Sequence, residues 1–367
     1  MTLALPDDKR VNINRMINDF KNRKTCKIRE WARFIGSLMA CCPALKYSWV
    51  YVKRLERLKL TSLEANNDSY NAQMVITEVK SDLDWWSNNI FIGNNTISRL
   101  PHVIEIFSDA SLTGWGAYCN NERANGFWTI DGKNNHINFL ELKAAYFGLQ
   151  CFAKTLKNCN ILLRIDNTTA IAYLNKMGGA QHTHLNDITR EIWQWCERRN
   201  IVIFASYIAS KENVEADEES RRLEPETEFS LSDYAFRKVI KNFGIPDIDL
   251  FASHSNKKCE RFISWKKDPE AETVDAFTIS WKGLFVYAFP PLSILLKVLR
   301  KIKIDAAEGI VIVPDWPGQP WFPLFKKMLV KEPIKFKPNK NLIMFSNRHH
   351  PMWRSITLVA GQLSGRL

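Results

Sequence analysis

The sequence holds no C-x-x-C pair, although it contains 8 cysteines among 367 residues. They are scattered at 26, 41, 42, 119, 151, 159, 196 and 259, which argues against a zinc site or a disulfide framework and fits reduced thiols. His182, His184 and the pair His349-His350 lack partnering cysteines, so they do not read as metal ligands. No apolar run approaches the ~18 residues of a membrane span. The first residues, MTLALPDDKRVN, carry no apolar core of signal-peptide length. An intracellular protein is therefore expected, with nucleus or cytoplasm left open and no membrane or disulfide-linked partner.

What is present is a globular composition, 46% hydrophobic and 12% aromatic, in a chain long enough for two or three domains. The formal net charge is +12. Basic residues recur along the whole chain, as in VKRLERLK (52–59) and KKCERFISWKK (257–267). A surface of this kind attracts phosphates and gives salt-dependent affinity. Composition alone also fits a merely soluble basic protein.

Three blocks follow one another. Residues 1–100 read as helical: CKIREWARFIGSLMACC (26–42) repeats apolar residues Ile28, Trp31, Ala32, Ile35, Leu38 and Met39 at helical spacing, and Pro43 stops it. A further helix is expected over 70–91. From 102 the pattern becomes strands at 102–108, 114–120 and 125–130, then a helix at 138–156 and a strand at 160–166. Helices at 167–179 and 184–199, a strand at 201–208 and an acidic helix at 213–222 complete the order βββαβααβα. A polar segment, LEPETEFS (223–230), leads into an α/β block. Its expected elements are a helix at 232–242, strands at 247–253 and 284–291, a helix at 293–302 and a strand at 309–316. Trp281, Trp316 and Trp321 in this block read as packing residues.

Four acids of the middle block stand where its elements converge: Asp109 ends a strand, Glu141 lies early in a helix, Asp166 ends the next strand, and Asp217 lies in the last helix. Unpaired carboxylates at close quarters repel one another. Such a cluster makes physical sense if it holds cations, and an all-oxygen set suits Mg²⁺ or Mn²⁺. Two such ions ~3.5–4 Å apart serve phosphodiester hydrolysis.

Residues 102–222 resemble the ribonuclease H domain of retroelement reverse transcriptases, with four motifs in order. These are SDASLTGWGA (108–117), HINFLELKA (136–144), RIDNTTAIAYLNKMGG (164–179) and NVEADEESR (213–221). The resemblance implies a mixed five-stranded ribonuclease H-like sheet and two Mg²⁺ ions, or Mn²⁺, held by Asp109, Glu141, Asp166 and Asp217. It also implies cleavage of the RNA strand of an RNA–DNA hybrid. One departure concerns the segment before the fourth motif. Gypsy-type relatives have His-Ile-Pro-Gly there, and this chain has Tyr207-Ile208-Ala209-Ser210. Tyrosine, with a pKa of about 10, does not replace histidine as a near-neutral proton carrier.

The flanks resemble DIRS-type retrotransposon polymerases. LALPDDKRVNI with IREWARFIGSLMACCPAL is similar to their thumb and connecting region, and 225–367 is similar to their Dam-like adenine methyltransferase-related domain. The resemblance places Asp249 and the pair Pro290-Pro291 near where S-adenosylmethionine would lie. The expected Asn/Asp-Pro-Pro-Tyr/Phe tetrad reads Phe289-Pro290-Pro291-Leu292, which loses both base-holding residues, so no working cofactor site is expected. The polymerase's Tyr-x-Asp-Asp is absent, so the chain is not expected to synthesise DNA by itself. Three domains are expected, 1–100, 101–224 and 225–367, and the resemblance implies a metal-dependent hybrid nuclease whose partners are nucleic acid and other retroelement proteins. Two alternatives stay open: a domesticated nucleic-acid-binding fragment with little or no nuclease activity, and a truncated piece of a polyprotein.

Overall fold

A computed structural model of the chain describes residues 2–96, 101–129, 132–222, 228–345 and 348–366. Its contacts divide it into two compact units, one of residues 1–108, 136–146 and 155–213, the other of residues 109–135, 147–154 and 214–367. Of the expected polar join at 223–230, residues 223–227 lie outside the described residues.

The chain opens with helices α1 (Asp7–Asn22), α2 (Ile28–Met39), α3 (Val50–Ala65) and α4 (Lys80–Asn89). The stripe expected on α2 is buried at Ile28, Trp31, Ile35 and Leu38, with Phe34 added. Pro43 lies in a short 3₁₀ turn, Cys42–Ala44, just past the helix. Two expectations are corrected. The helix expected from 26 starts at Ile28, because Thr25–Lys27 pairs antiparallel with Gln73–Val75. That same pairing removes 73–75 from the helix expected over 70–91, leaving α4 alone. Asn67 and Asp68 adopt positive φ and turn the chain after α3, a conformation that short polar side chains tolerate. Burial of Met74 in the small ladder then prevails over helical spacing.

The acid-bearing block comprises strands β1 (His102–Ala110), β2 (Gly114–Cys119) and β3 (Glu122–Phe127), then helix α5 (Ile137–Phe152) and strand β4 (Asn160–Ile165). Helices α6 (Thr168–Asn175) and α7 (Thr183–Glu197), strand β5 (Val202–Tyr207) and helix α8 (Val214–Arg221) follow. The βββαβααβα order is the expected one, and the strands form one mixed sheet in the order β3-β2-β1-β4-β5. β2 and β3 are antiparallel, whereas β1/β4 and β4/β5 are parallel. Asn120 and Asn121 both have positive φ, as a tight two-residue hairpin turn demands. Strand β3 therefore begins at Glu122, ahead of the expected 125. Asn167 caps α6, its side-chain oxygen accepting from the Ala170 amide at 2.9 Å.

The first unit also ties the opening helices to α7. Asp82 on α4 is wholly buried and forms ion pairs with Arg54 of α3 and Arg190 of α7. Trp85 Nε1 donates to Glu197 at 2.7 Å, and Tyr51 Oη donates to the same carboxylate. Burial pushes the Asp82 carboxyl up, against the pull of the two guanidiniums.

The C-terminal block contains α9 (Asp233–Phe243), β6 (Ile248–Asp249), β7 (Phe285–Ala288) and α10 (Leu295–Ile304). It continues with β8 (Glu308–Pro314), α11 (Phe322–Lys327), β9 (Ile334–Phe336) and β10 (Leu358–Ser364). A second five-stranded sheet results, in the order β6-β7-β8-β10-β9. Its first three strands are parallel and its last two pairings antiparallel. The strand expected over 247–253 is only two residues long, because the Phe251 amide turns to the Asp249 carboxylate and leaves the ladder. Trp281 and Trp321 are buried in the core on one face of this sheet, with Trp316 packed at its edge, in the packing role expected of them.

Candidate active site

Parallel register brings two acids side by side. Phe107 of β1 lies opposite Arg164 of β4, and Asp109 and Asp166 each stand two residues further on. With a side-chain period of two, both return to the face they share. Glu141 comes from the second turn of α5. Asp109 and Glu141 are buried, at 6% and 4% exposure, and Asp166 is half-buried. One carboxylate oxygen from each lies within 4.8 Å of the other two. Among the described residues no other group of three His, Cys, Asp or Glu side chains gathers this closely.

Asp217, the fourth acid expected in the set, is not in that triplet. Its Oδ1 accepts from Arg221 Nε at 2.9 Å and Nη2 at 2.7 Å, one turn along α8. The glycines that follow Asp109 explain how α8 is placed. A Cβ at Gly116 would collide with the Ala216 carbonyl and the Ser220 amide, so only a glycine lets α8 lie this close to β2. Ser111 helps: its hydroxyl donates to the Ser220 carbonyl at 2.7 Å and accepts from the Gly114 amide at 3.0 Å. Trp115, in the same motif, is a core residue at 1% exposure, its ring 5.1 Å from Phe147. Gly116 and Trp115 of this stretch thus serve packing, while Asp109 faces the other two acids.

Two further residues hold the edge on which the acids stand. Ser210 Oγ donates to Asp166 Oδ2 at 2.7 Å. Asn213, 1% exposed, donates through Nδ2 to the Ser108 carbonyl at 3.1 Å, one residue before Asp109. Sequence reasoning noted Ser210 only as a departure and Asn213 only as the start of a motif. A small polar residue beside an acid does not announce its partner. Tyr207 ends β5 opposite Ile165 and is 58% exposed.

The donor set fits a hard divalent cation: three carboxylates converge, two of them out of water, with no sulfur or imidazole among them. Asp109, Glu141 and Asp166 would hold such an ion.

The second sheet treats its acid differently. Asp249 ends β6, is 3% exposed and accepts from the Phe251 amide at 3.3 Å and the Lys258 amide at 3.1 Å. Burial pushes its carboxyl up to about 6, against the pull of those two amides. After β7, Phe289 packs into the core beneath α9, Pro290 and Pro291 follow, and Leu292 is exposed.

No family model and no curated protein matches the chain. Solved structures do. Ribonuclease H1 from the halophilic archaeon Halobacterium salinarum NRC-1 is 16% identical, covering 32% of this chain and 92% of its own, with a TM-score of 0.27. LC11-RNase H1, isolated from compost by a metagenomic approach, is 20% identical over 31% of this chain and 90% of its own, with a TM-score of 0.27. The foamy viral protease-reverse transcriptase in complex with RNA/DNA hybrid is 11% identical over 53% of this chain and 26% of its own, with a TM-score of 0.21. The fold of the acid-bearing block is ribonuclease H-like, as its strand order states on its own. At TM-scores of this size the likenesses say nothing about activity; the residues themselves have to.

Proposed function

We propose that the chain is a metal-dependent endonuclease of the ribonuclease H type, hydrolysing the RNA strand of RNA–DNA hybrids as part of a retroelement reverse transcriptase. One observation carries the reading: Asp109, Glu141 and Asp166 converge within 4.8 Å, two of them buried. Like charges kept out of water are costly unless a cation compensates them. Bound Mg²⁺ or Mn²⁺ ions would supply the charge that activates a water and stabilises the leaving oxygen. The chain's own part is to orient the three carboxylates, with Ser210 and Asn213 fixing the strand edge. Asp217, whose Oδ1 accepts from Arg221, stands outside the triplet. The net charge of +12 supplies the attraction for the nucleic-acid backbone.

A second reading, a nucleic-acid-binding fragment with an idle nuclease, draws on the Asp217–Arg221 bonds and on Tyr207 in the place of a histidine. The test is cleavage of a labelled RNA–DNA hybrid in Mg²⁺ and in Mn²⁺, with Asp109→Asn alongside. RNA-strand cleavage that needs metal and is lost in the variant supports the enzyme. Salt-sensitive binding without cleavage in either metal overturns it in favour of the fragment.

A further inference from the structure

The segment that joins β5 to α8 is pinned at both ends. At its start, the Ile208 amide donates to the Ile165 carbonyl at 3.1 Å and extends the β4/β5 ladder by one bond. At its end, Asn213 is buried and holds the Ser108 carbonyl of β1. Between them Ala209 is extended, and Ser210–Glu212 forms a single 3₁₀ turn closed by the Glu212 amide on the Ala209 carbonyl at 2.7 Å. The backbone is therefore tied to the two strands whose ends carry Asp109 and Asp166. The side chain presented at the first position of the turn is Ser210, whose hydroxyl donates to Asp166 Oδ2 at 2.7 Å.

From this geometry we infer that Ser210 is a positioning residue for Asp166. This rests on the nuclease reading above and deepens it. An ionised carboxylate offers about four acceptor positions. The hydroxyl takes one, which fixes the rotation of the carboxylate and leaves the others for a cation. An oxygen-donor acid on a strand end is otherwise free to swing toward solvent, and half-buried Asp166 is the most exposed of the three acids.

The decisive measurement is calorimetric titration of Mn²⁺ into the full chain without nucleic acid, for wild type, Ser210→Ala and Ser210→Thr, with Asp166→Asn as the variant lacking the ligand. Removing a partner of a metal ligand costs about 10–100-fold in metal affinity. Ser210→Ala should weaken Mn²⁺ binding by that factor, and Ser210→Thr, which keeps the hydroxyl, should restore most of it. In hybrid cleavage the same variant should need more metal for half-maximal rate, while the rate at saturating metal stays within about threefold of wild type, because the acids themselves are intact. Thermal melts of the metal-free variants should coincide with wild type. Equal Mn²⁺ affinity for wild type and Ser210→Ala overturns the positioning role and leaves the nuclease reading standing. A wild-type chain that neither binds Mn²⁺ nor cleaves overturns both.

Discussion

Both five-stranded sheets end a parallel strand on an aspartate, and the two aspartates have opposite surroundings. Asp166, at the end of β4, is half-buried, shares its space with two other acids and is held by one side-chain hydroxyl. Asp249, at the end of β6, is buried and closed off by two backbone amides. Each stands at the end of a parallel strand, interior in one sheet and at the edge in the other, and the partners of each set it apart. A carboxylate whose oxygens are met by amides of its own loop organises that loop. A carboxylate set among other carboxylates is, on the reading proposed above, a ligand for a cation. An aspartate at a strand end is therefore informative only together with what else arrives there.

The comparison breaks most visibly if the two acids are exchanged in their effects. Asp109→Asn and Asp166→Asn should each reduce hybrid cleavage by roughly 10³-fold or more, equivalent to about 4 kcal/mol of barrier, with hybrid binding in a filter assay nearly unchanged. Asp249→Asn should leave the cleavage rate of the folded protein where it was. A loss of cleavage in that variant, without unfolding, would erase the distinction between the sheets.

A third buried acid sharpens it. Asp82 has neither an amide cage nor an acidic cluster but two arginines. Asp82→Ala should cost about 3–5 kcal/mol in denaturant unfolding, because a partly buried guanidinium loses its counter-charge.

The effect of Asp249 on stability carries a definite sign. Its carboxyl stands at about 6 in the fold, above the ~3.9 of an unfolded chain. The neutral form is favoured by folding, so this contribution is fully present below about pH 4 and is lost as pH rises through 6. On the order of 3 kcal/mol is involved, and Asp249→Asn should flatten unfolding free energy over that window. What remains should shift toward pH 7, following Asp268, whose carboxyl burial pushes up to about 7. The smallest effect is expected at the proline pair: Pro291→Ala should change neither cleavage nor metal binding measurably.

Much of this was legible in the chain. The order of nine elements from 102 to 222 follows from alternation, helical spacing and turn residues, and three of the four acids expected together are together. What escaped was set by contacts between distant residues. Nothing local to Met74 says that it pairs beside Cys26, so a helix is read where a ladder forms. Nothing near Asp217 says that Arg221, four residues on, takes its oxygen, since such pairs are common on exposed helices and worth little. Nothing local to Gly116 says that it must lack a side chain, yet a helix from a hundred residues later lies against it. Short strand β6 and the late strand β10 depend on partners in the second sheet rather than on their own pattern.

The ion pairs around Asp82 have a consequence for how the molecule can be taken apart. Arg54 and Asp82 belong to the opening helices, while Arg190 belongs to the ribonuclease H-like block, and Tyr47 donates to the Ile201 carbonyl at 2.8 Å across the same boundary. A chain shortened to begin at 101 would strip Arg190 and Glu197 of their partners and open the apolar side of α7. Heat should therefore melt the opening helices and that side of the sheet in one cooperative step. Proteases should find no early cut that frees a folded ribonuclease H-like piece.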